Sequence, residues 1–531
     1  MIKFEDYKQY LSPVFYKQTN LVAKSASGCY LTDVNGDRYL DFVQGIAVNA
    51  LGHNYPTVVK AIQEQAGNLV NASFNLVNYE STLTLAKRLS EKAPGKLSSI
   101  FFSNGGAEAT DSALKLAMSY SARSAVIAFM GSFHGRTVGA TAITGSNSKY
   151  RRHYNPLMGN VYFAPYPGKD LCPPGLGEEE RTDYALFELK KLLRYVVDPE
   201  DVACIYMEPV MGEGGYVVPS KKFVQEVRKI CDEHGILLIF DEIQCGYGRT
   251  GKMWASEHFD VVPDIMTVGK AIAGGLPMSA VISTPEIMDK WPIGTHGTTF
   301  GGNPCAAAAG NAVLDAFEDG SLLKNVNEMG AYLKEKLREM QSRHSCISDV
   351  RGLGLMVAIE FSHEDGSPAP DLWTAVKAGC LKRHMLTLNC GVYGNGMRFA
   401  TPLNVKREEI DEGLQILEEA ICEVEAGLED KVGNGDWGGL GEFGKTGELG
   451  EPGKLGTESG AERRARFLRG EEGAVMRDMC VRRRVFARWV MPEREFAMTL
   501  KNAGYKNAKG KFVIVKKGRW NLNWTFHTEA A

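Results

Sequence analysis

From about His53 to Gly302 the chain alternates short β-rich runs with helix-period patterns. The runs include SSIFFS, AVIAFMG, VACIYMEP, ILLIFDE and SAVIST, and helical stretches such as KKFVQEVRKICDEHG separate several of them. This alternation argues for a mostly parallel sheet with helices on both faces. In an open α/β sheet of that kind, ligands bind beyond the carboxyl ends of the strands.

Two strings place chemistry there. LLIFDEIQCGYGRTG carries Asp241 and DIMTVGKAIAGGLP carries Lys270. Each reads as an apolar strand that ends on one polar residue and runs into a glycine-rich loop. One site thus acquires a carboxylate and an amine. A primary amine holds an aldehyde as an imine, and a carboxylate keeps a pyridine nitrogen protonated. Those are the two protein groups that pyridoxal phosphate requires. A free ammonium is a poor nucleophile, so nearby positive charge or desolvation must lower the pKa of Lys270. SNGGAEATDSALKLA reads as a turn feeding a helix. The backbone N–H groups of Gly106 and Ala107 would point at a phosphate there, helped by the helix dipole.

A length of 531 residues suffices for two or three domains with large cores. Hydrophobic content of 44% and charge content of 24% are ordinary for a globular protein. The net charge of −3 carries no message about partners. It hides an asymmetry, because the segment after about residue 460 has roughly ten more basic than acidic residues. The 11 cysteines are scattered, without metal-ligand spacing. Together with a start that lacks a basic and then apolar leader, they suggest free thiols in a cytoplasmic protein, with no metal site. No apolar run reaches the ~18 residues that a membrane helix needs.

CYLTDVNGDRYLDFVQGIAV reads as two strands around an Asn-Gly-Asp turn. A long helix with many small residues is expected near CAAAAGNAVLDAFEDG. Residues from about Leu322 to Glu425 read helix, strand (DVRGLGLMVAIEF), helix, strand (GMRFATPL), helix. The expected organisation is therefore a segment 1–52 joining the small domain, a large cofactor-binding domain 53–305, and a smaller α+β C-terminal domain 306–428. A glycine-rich spacer 429–460 and a basic tail 461–531 follow. The spacer has Gly441, Gly444, Gly447, Gly450, Gly453 and Gly456 in period three, but only Pro452 falls in this run, so it reads as a flexible linker and not as collagen. The tail holds ERRARFLRG, VRRRVFARW and the strand-forming KFVIVKKGRWNLNWTF. It is either an arm for nucleic acid or a membrane surface, or an appended segment without function; the second is the expectation here, because basic runs are usually solvated.

The combination FFSNGGAEATDSALKLA, GSFHGRT, MEPVMGEGG, FDEIQCGYGRTG, TVGKAIAGGLP, HGTTFGGNP and MRFATPL, in that order, resembles the class III aminotransferases among the fold-type-I pyridoxal phosphate enzymes. Those include the 4-aminobutyrate, ornithine and acetylornithine aminotransferases. The resemblance runs from about Phe15 to Gly427, so the tail departs from it. It implies that Lys270 and Asp241 are catalytic. It also implies that Ile243 covers one face of the cofactor ring, that Phe133 stacks on the other, and that Gln244 bonds near the phenolic oxygen. Thr299 resembles a residue that reaches the phosphate from the neighbouring subunit, which implies a homodimer with shared active sites. The family usually has Ser or Thr where this chain has Gly105, so one side-chain contact is expected to be missing. Arg398 resembles the anchor of the α-carboxylate, and Arg136 the residue that binds a distal carboxylate. Glu213 resembles the glutamate that pairs with the second arginine when no second carboxylate is present. Ile46 resembles an apolar wall of the substrate pocket. His134 adjoins Phe133 and receives no proton-transfer role, since Lys270 supplies it.

These residues imply transfer of an amino group from an amino acid, an ω-amino acid such as 4-aminobutyrate or ornithine, to a 2-oxo acid such as 2-oxoglutarate or pyruvate. The cycle would be ping-pong. The same scaffold also hosts amino-acid racemases or epimerases and a decarboxylating aminotransferase, and the sequence leaves these open. A binding protein without catalysis is disfavoured by intact Lys270 and Asp241. Gly246–Lys252 fits GxxxxGK after a strand, but Met253 stands where a phosphate-binding loop needs a hydroxyl for Mg²⁺.

Overall fold

The computed structural model describes residues 2–433, 514–517 and 524–527. Contacts divide the chain into two units, Met1–Thr446 and Gly447–Ala531.

After two short helical turns, Phe4–Tyr7 and Lys8–Tyr10, the first unit forms an antiparallel ribbon of β1 (Ala23–Ser27), β2 (Tyr30–Asp33) and β3 (Arg38–Asp41). The expected second hairpin strand stops at Asp41. There the Asp41 carboxylate accepts from the N–H groups of Val43 (2.8 Å) and Gln44 (3.0 Å), which turns the chain. Residues Gln44, Gly45, Ile46 and Ala47 then all have positive φ.

The central sheet has seven strands: β4 (Ser99–Ser103), β5 (Ala125–Phe129), β6 (Val161–Ala164), β7 (Val202–Met207), β8 (Leu237–Asp241), β9 (Ile265–Val268) and β10 (Ser279–Ser283). Their order across the sheet is β4-β10-β9-β8-β7-β5-β6. Only β10 runs against the others. Successive residues of β5, β7 and β8 enter different cores. Ile127, Phe129, Ile205, Met207, Leu238 and Phe240 pack into one, and Val126, Ala128, Cys204, Tyr206 and Ile239 into another. This two-sided burial is why these strands read as continuous apolar runs. The half-buried edge strand β6 gave no such run and was not expected.

The helices that cover the sheet start and stop by side-chain chemistry. Ser220 accepts from the Phe223 N–H (3.2 Å) at the start of Lys221–His234, and Gly235, at φ 61°, ends that helix. Asn303 accepts from Cys305 and Ala306 at the start of Pro304–Asp315. That helix packs tightly on the segment after Lys270: a Cβ on Gly310 would lie 2.9 Å from the Ile272 carbonyl oxygen. The small residues of the helix permit this approach.

A second, smaller sheet holds β11 (Ile347–Leu353), β12 (Met356–Phe361), β14 (Leu388–Cys390) and β15 (Gly396–Phe399), all antiparallel, in the order β11-β12-β15-β14. DVRGLGLMVAIEF is thus a hairpin and not the single strand expected. Gly352 (φ 131°) and Gly354 (φ 52°) turn the chain, and a Cβ on Gly352 would lie 2.0 Å from the Met356 carbonyl oxygen. Between these elements β13 (Met385–Leu386) pairs in parallel with β3. The molecule is α/β, with a mixed, largely parallel central sheet and a separate small sheet.

In the second unit β16 (Ile514–Lys517) pairs antiparallel with β17 (Trp524–His527). The helix Arg407–Gly433 takes in the first residues of the expected spacer, 429–433; the rest of the spacer and the arginine-rich segments of the tail lie outside the described residues.

Candidate active site

Four neighbouring parallel strands end on the same edge of the central sheet, and each delivers a functional segment there. β8 ends on Asp241, β9 leads through Gly269 to Lys270, β7 leads to Glu208, and β5 leads to Phe133 and His134. Gly106, at the start of the helix Gly106–Ser121, follows β4. A cavity of about 190 Å³ opens between them. Gly106, Ala107, Phe133, Glu213, Asp241, Ile243, Gln244 and Lys270 line it, and so do His134, Gly135 and Glu208, to which no role was expected.

Lys270 sits in the left-handed region, at φ 45°, where a non-glycine residue is strained. Burial lowers the pKa of its amine, Arg398 adds to that, and Asp241 and Glu208 oppose it. The amine therefore loses its proton more readily than a surface lysine, as a nucleophile requires. Asp241 is 2% exposed. One of its oxygens accepts from the Ile243 N–H (3.1 Å) and the other lies 2.7 Å from His134 Nδ1. With an ionised Asp241, that contact requires the proton on Nδ1. The His134 ring is fixed further by Tyr206, edge-on at 4.6 Å between centroids, while its backbone N–H donates to Thr144 (3.0 Å).

Glu208 is buried, and burial raises its pKa to about 7 against the pull of His134. Its two oxygens accept from the backbone N–H groups of Phe133 (2.9 Å) and Gly212 (2.7 Å). One carboxyl thus ties the loop of Phe133 to the loop that carries Glu213. The MEP string held Glu208 in plain view, but a residue that acts on backbone N–H groups leaves no pattern of its own.

The first-turn N–H groups of Gly106 and Ala107 have no carbonyl of their own helix to donate to. The cradle around them has no spare room on one side: a Cβ on Gly106 would lie 3.1 Å from Ile243 Cδ1, and one on Gly135 would lie 2.5 Å from Ala107 Cβ. At Gly105 a Cβ would meet nothing within 4 Å, so the position usually held by Ser or Thr is open.

The substrate candidates lie at the cavity and around it. Glu213 accepts from the Tyr150 hydroxyl (2.5 Å) and, more weakly, from Ser146 (3.4 Å). The Arg136 guanidinium stacks over the Tyr150 ring at 4.6 Å and lies 5.9 Å from the Phe133 ring. Arg398, buried on β15, contacts Gln244 Oε1 at 3.4 Å, and its Nε is buried without a partner. Glu213 forms no ion pair with either arginine among the described residues. Thr299 and Ile46 are exposed and do not line the cavity of their own chain.

An amine of lowered pKa and a buried, hydrogen-bonded carboxylate share a cavity with an open helix start. Those residues fit pyridoxal phosphate: amine for aldehyde, carboxylate for ring nitrogen, N–H groups for phosphate. Fold and site together define a pyridoxal-phosphate-dependent enzyme of fold type I. The aminotransferase class-III family model matches residues 12–421. The chain belongs to the class III aminotransferases and is a pyridoxal-phosphate-dependent transaminase. It is 39% identical over 413 residues to a probable 4-aminobutyrate aminotransferase of Bacillus subtilis, covering 77% of this chain and 95% of that protein. An alanine/serine racemase of Pyrococcus horikoshii is 36% identical over 417 residues, covering 77% and 87%. Among solved structures, the ornithine aminotransferase of Toxoplasma gondii, with pyridoxal phosphate partly occupying its active site, superposes with a TM-score of 0.71 at 27% identity, covering 80% of this chain and 95% of that one.

Proposed function

We infer that the protein moves an amino group from an ω-amino acid such as 4-aminobutyrate or ornithine to a 2-oxo acid such as 2-oxoglutarate or pyruvate, in a ping-pong cycle. The observation that carries this reading is the pair of guanidinium groups, Arg136 and Arg398, near the cavity and without ion-pair partners among the described residues. A planar guanidinium binds a carboxylate bidentately, and two of them suit a substrate pair in which glutamate alternates with a monocarboxylic ω-amine. The similarity to the Bacillus subtilis protein supports the same donor.

When bound, pyridoxal phosphate supplies an aldehyde for the substrate amine and a pyridinium that draws electrons from the Cα–H bond. Lys270 takes the substrate's Cα proton, which its lowered pKa permits. Asp241, held by His134 and the Ile243 N–H, fixes the proton on the ring nitrogen. Ile243 and Phe133 would hold the ring, Gln244 would bond beside it, and the Gly106 and Ala107 N–H groups would hold the phosphate. Thr299 completes that phosphate site across a homodimer, which accounts for its exposure here. Ile46 closes the substrate side. The free state of the ten described cysteines agrees with a reducing cytosol as the place of action. Residues 1–52 go with the small domain 306–428, consistent with the β3–β13 pairing, and 53–305 form the large one.

The test is product formation by the purified, cofactor-loaded protein from 4-aminobutyrate, ornithine and alanine, each with 2-oxoglutarate or pyruvate. Turnover of an ω-amine is expected. Its absence with every oxo acid, together with interconversion of amino-acid enantiomers in the absence of oxo acid, would instead favour the racemase reading that the Pyrococcus horikoshii relative suggests.

A further inference from the structure

Glu213 shares its surroundings with two cations and pairs with neither. Its carboxylate takes hydrogen bonds from two neutral hydroxyls, Tyr150 at 2.5 Å and Ser146 at 3.4 Å. Arg136 lies on the ring of the same Tyr150. Both Arg136 and Arg398 act electrostatically on the Tyr150 phenol.

The main chain of the Glu213 loop is pinned. The Gly391 N–H donates to the Glu213 carbonyl (2.9 Å), and Arg351 Nε donates to the Gly215 carbonyl (2.6 Å). A Cβ on Gly214 would lie 2.3 Å from the Gly131 carbonyl oxygen, so the loop is also packed against its neighbour. What remains free to change is the Glu213 side-chain rotamer, and hence the choice of its partner.

Tyr150 is itself well placed. Its ring stands edge-on to Phe133 at 5.6 Å between centroids. It closes the short turn Ser148–Tyr150, which the Asn147 side chain caps by accepting from the Lys149 N–H (3.0 Å). Burial and the Glu213 carboxylate hold the phenol protonated, so against an ionised Glu213 it only donates.

We propose that Tyr150 is a positioning residue that sets substrate choice: its hydroxyl latches Glu213 away from Arg136 and Arg398, leaving both guanidinium groups free for the two carboxylates of a dicarboxylic amino acid. This rests on the substrate reading given above. Released from the latch, Glu213 competes with a dicarboxylic substrate for a guanidinium. A monocarboxylic ω-amino acid leaves one guanidinium without a carboxylate, and Glu213 then offsets it. Loss of the hydroxyl therefore disfavours the dicarboxylic partner selectively.

The test uses the full-length, cofactor-loaded protein as wild type, Tyr150→Phe, Glu213→Gln and the double variant. Tyr150→Phe keeps the ring on which Arg136 stacks. For each protein, kcat and KM are measured with glutamate and with 4-aminobutyrate, and glutarate binding is measured by calorimetry. Tyr150→Phe is expected to lower the ratio of kcat/KM for glutamate to that for 4-aminobutyrate by ~10-fold, through the KM for glutamate, and to weaken glutarate by a similar factor. In the Glu213→Gln background the same change is expected to move the ratio by less than ~2-fold, because no carboxylate is left to release. Equal losses for both substrates, or an undiminished shift in the Glu213→Gln background, overturn the latch alone. Wild type that turns over neither substrate overturns the substrate reading and the latch with it.

Discussion

Glu242 shows how a single side chain adjacent to the chemistry stabilises the site without entering it. Both of its oxygens are buried and accept from the backbone N–H groups of Ala255 (2.9 Å) and Ser256 (2.8 Å). Burial nevertheless dominates and raises its pKa from 4.5 to about 7. The folded protein therefore holds this proton in a pH range where the unfolded chain has released it. The stability this contributes is complete below about pH 4.5 and is lost as pH rises through about 7. Denaturant melts at pH 5.5 and pH 8 are expected to show wild type losing about 2 kcal/mol more than Glu242→Gln over that interval. An equal pH slope in both proteins contradicts this. At this scale the sequence was unevenly legible. Asp241 and Lys270 stood out because each ends an apolar run with one polar residue. The His134–Asp241 bond joins residues 107 positions apart, and no local pattern carries it. Glu208 and Tyr150 act on backbone groups and on another side chain, which also leaves no periodic signal.

Strands and helices place these residues, and one tight approach falls where the phosphate cradle is expected. Gly135 has φ 136°, and a Cβ there would lie 2.5 Å from the Cβ and 2.8 Å from the Cα of Ala107. Gly135→Ala is expected to cost about 2 kcal/mol or more, from backbone strain and overpacking together. It displaces the start of the helix Gly106–Ser121, so thermal melting and cofactor titration should both report a loss; unchanged cofactor affinity contradicts the cradle. The strands of the central sheet were readable because burial on both faces makes them apolar throughout. The half-buried edge strand Val161–Ala164 was not, since it lacks that signature. The hairpin in DVRGLGLMVAIEF merged into one strand because its turn consists of only a few residues with glycines at positive φ, flanked by apolar positions that read as continuous.

Across the whole molecule, the residues that line the cavity, together with Arg398, come from between positions 106 and 398, and the family match ends at residue 421. A chain ending at Gly433 is therefore expected to keep its cofactor and its transaminase activity within about two-fold of full length, since that activity is tied to the first unit alone. A large loss on truncation, seen in the same turnover assay, contradicts that division. The α/β architecture and the order of its motifs were legible because the alternation of strand and helix constrains the topology to one sheet edge. A shared active site is implied only by resemblance, because an exposed Thr299 in one chain does not itself point to a second. The Lys270 amine is expected to bond the cofactor's aldehyde. Borohydride reduction of the cofactor-loaded protein, followed by peptide mass mapping, tests it most directly. The expected result is a pyridoxyl adduct on the peptide carrying Lys270, and none in Lys270→Ala. An adduct on another lysine, or no adduct after loading with excess pyridoxal phosphate, contradicts that bond.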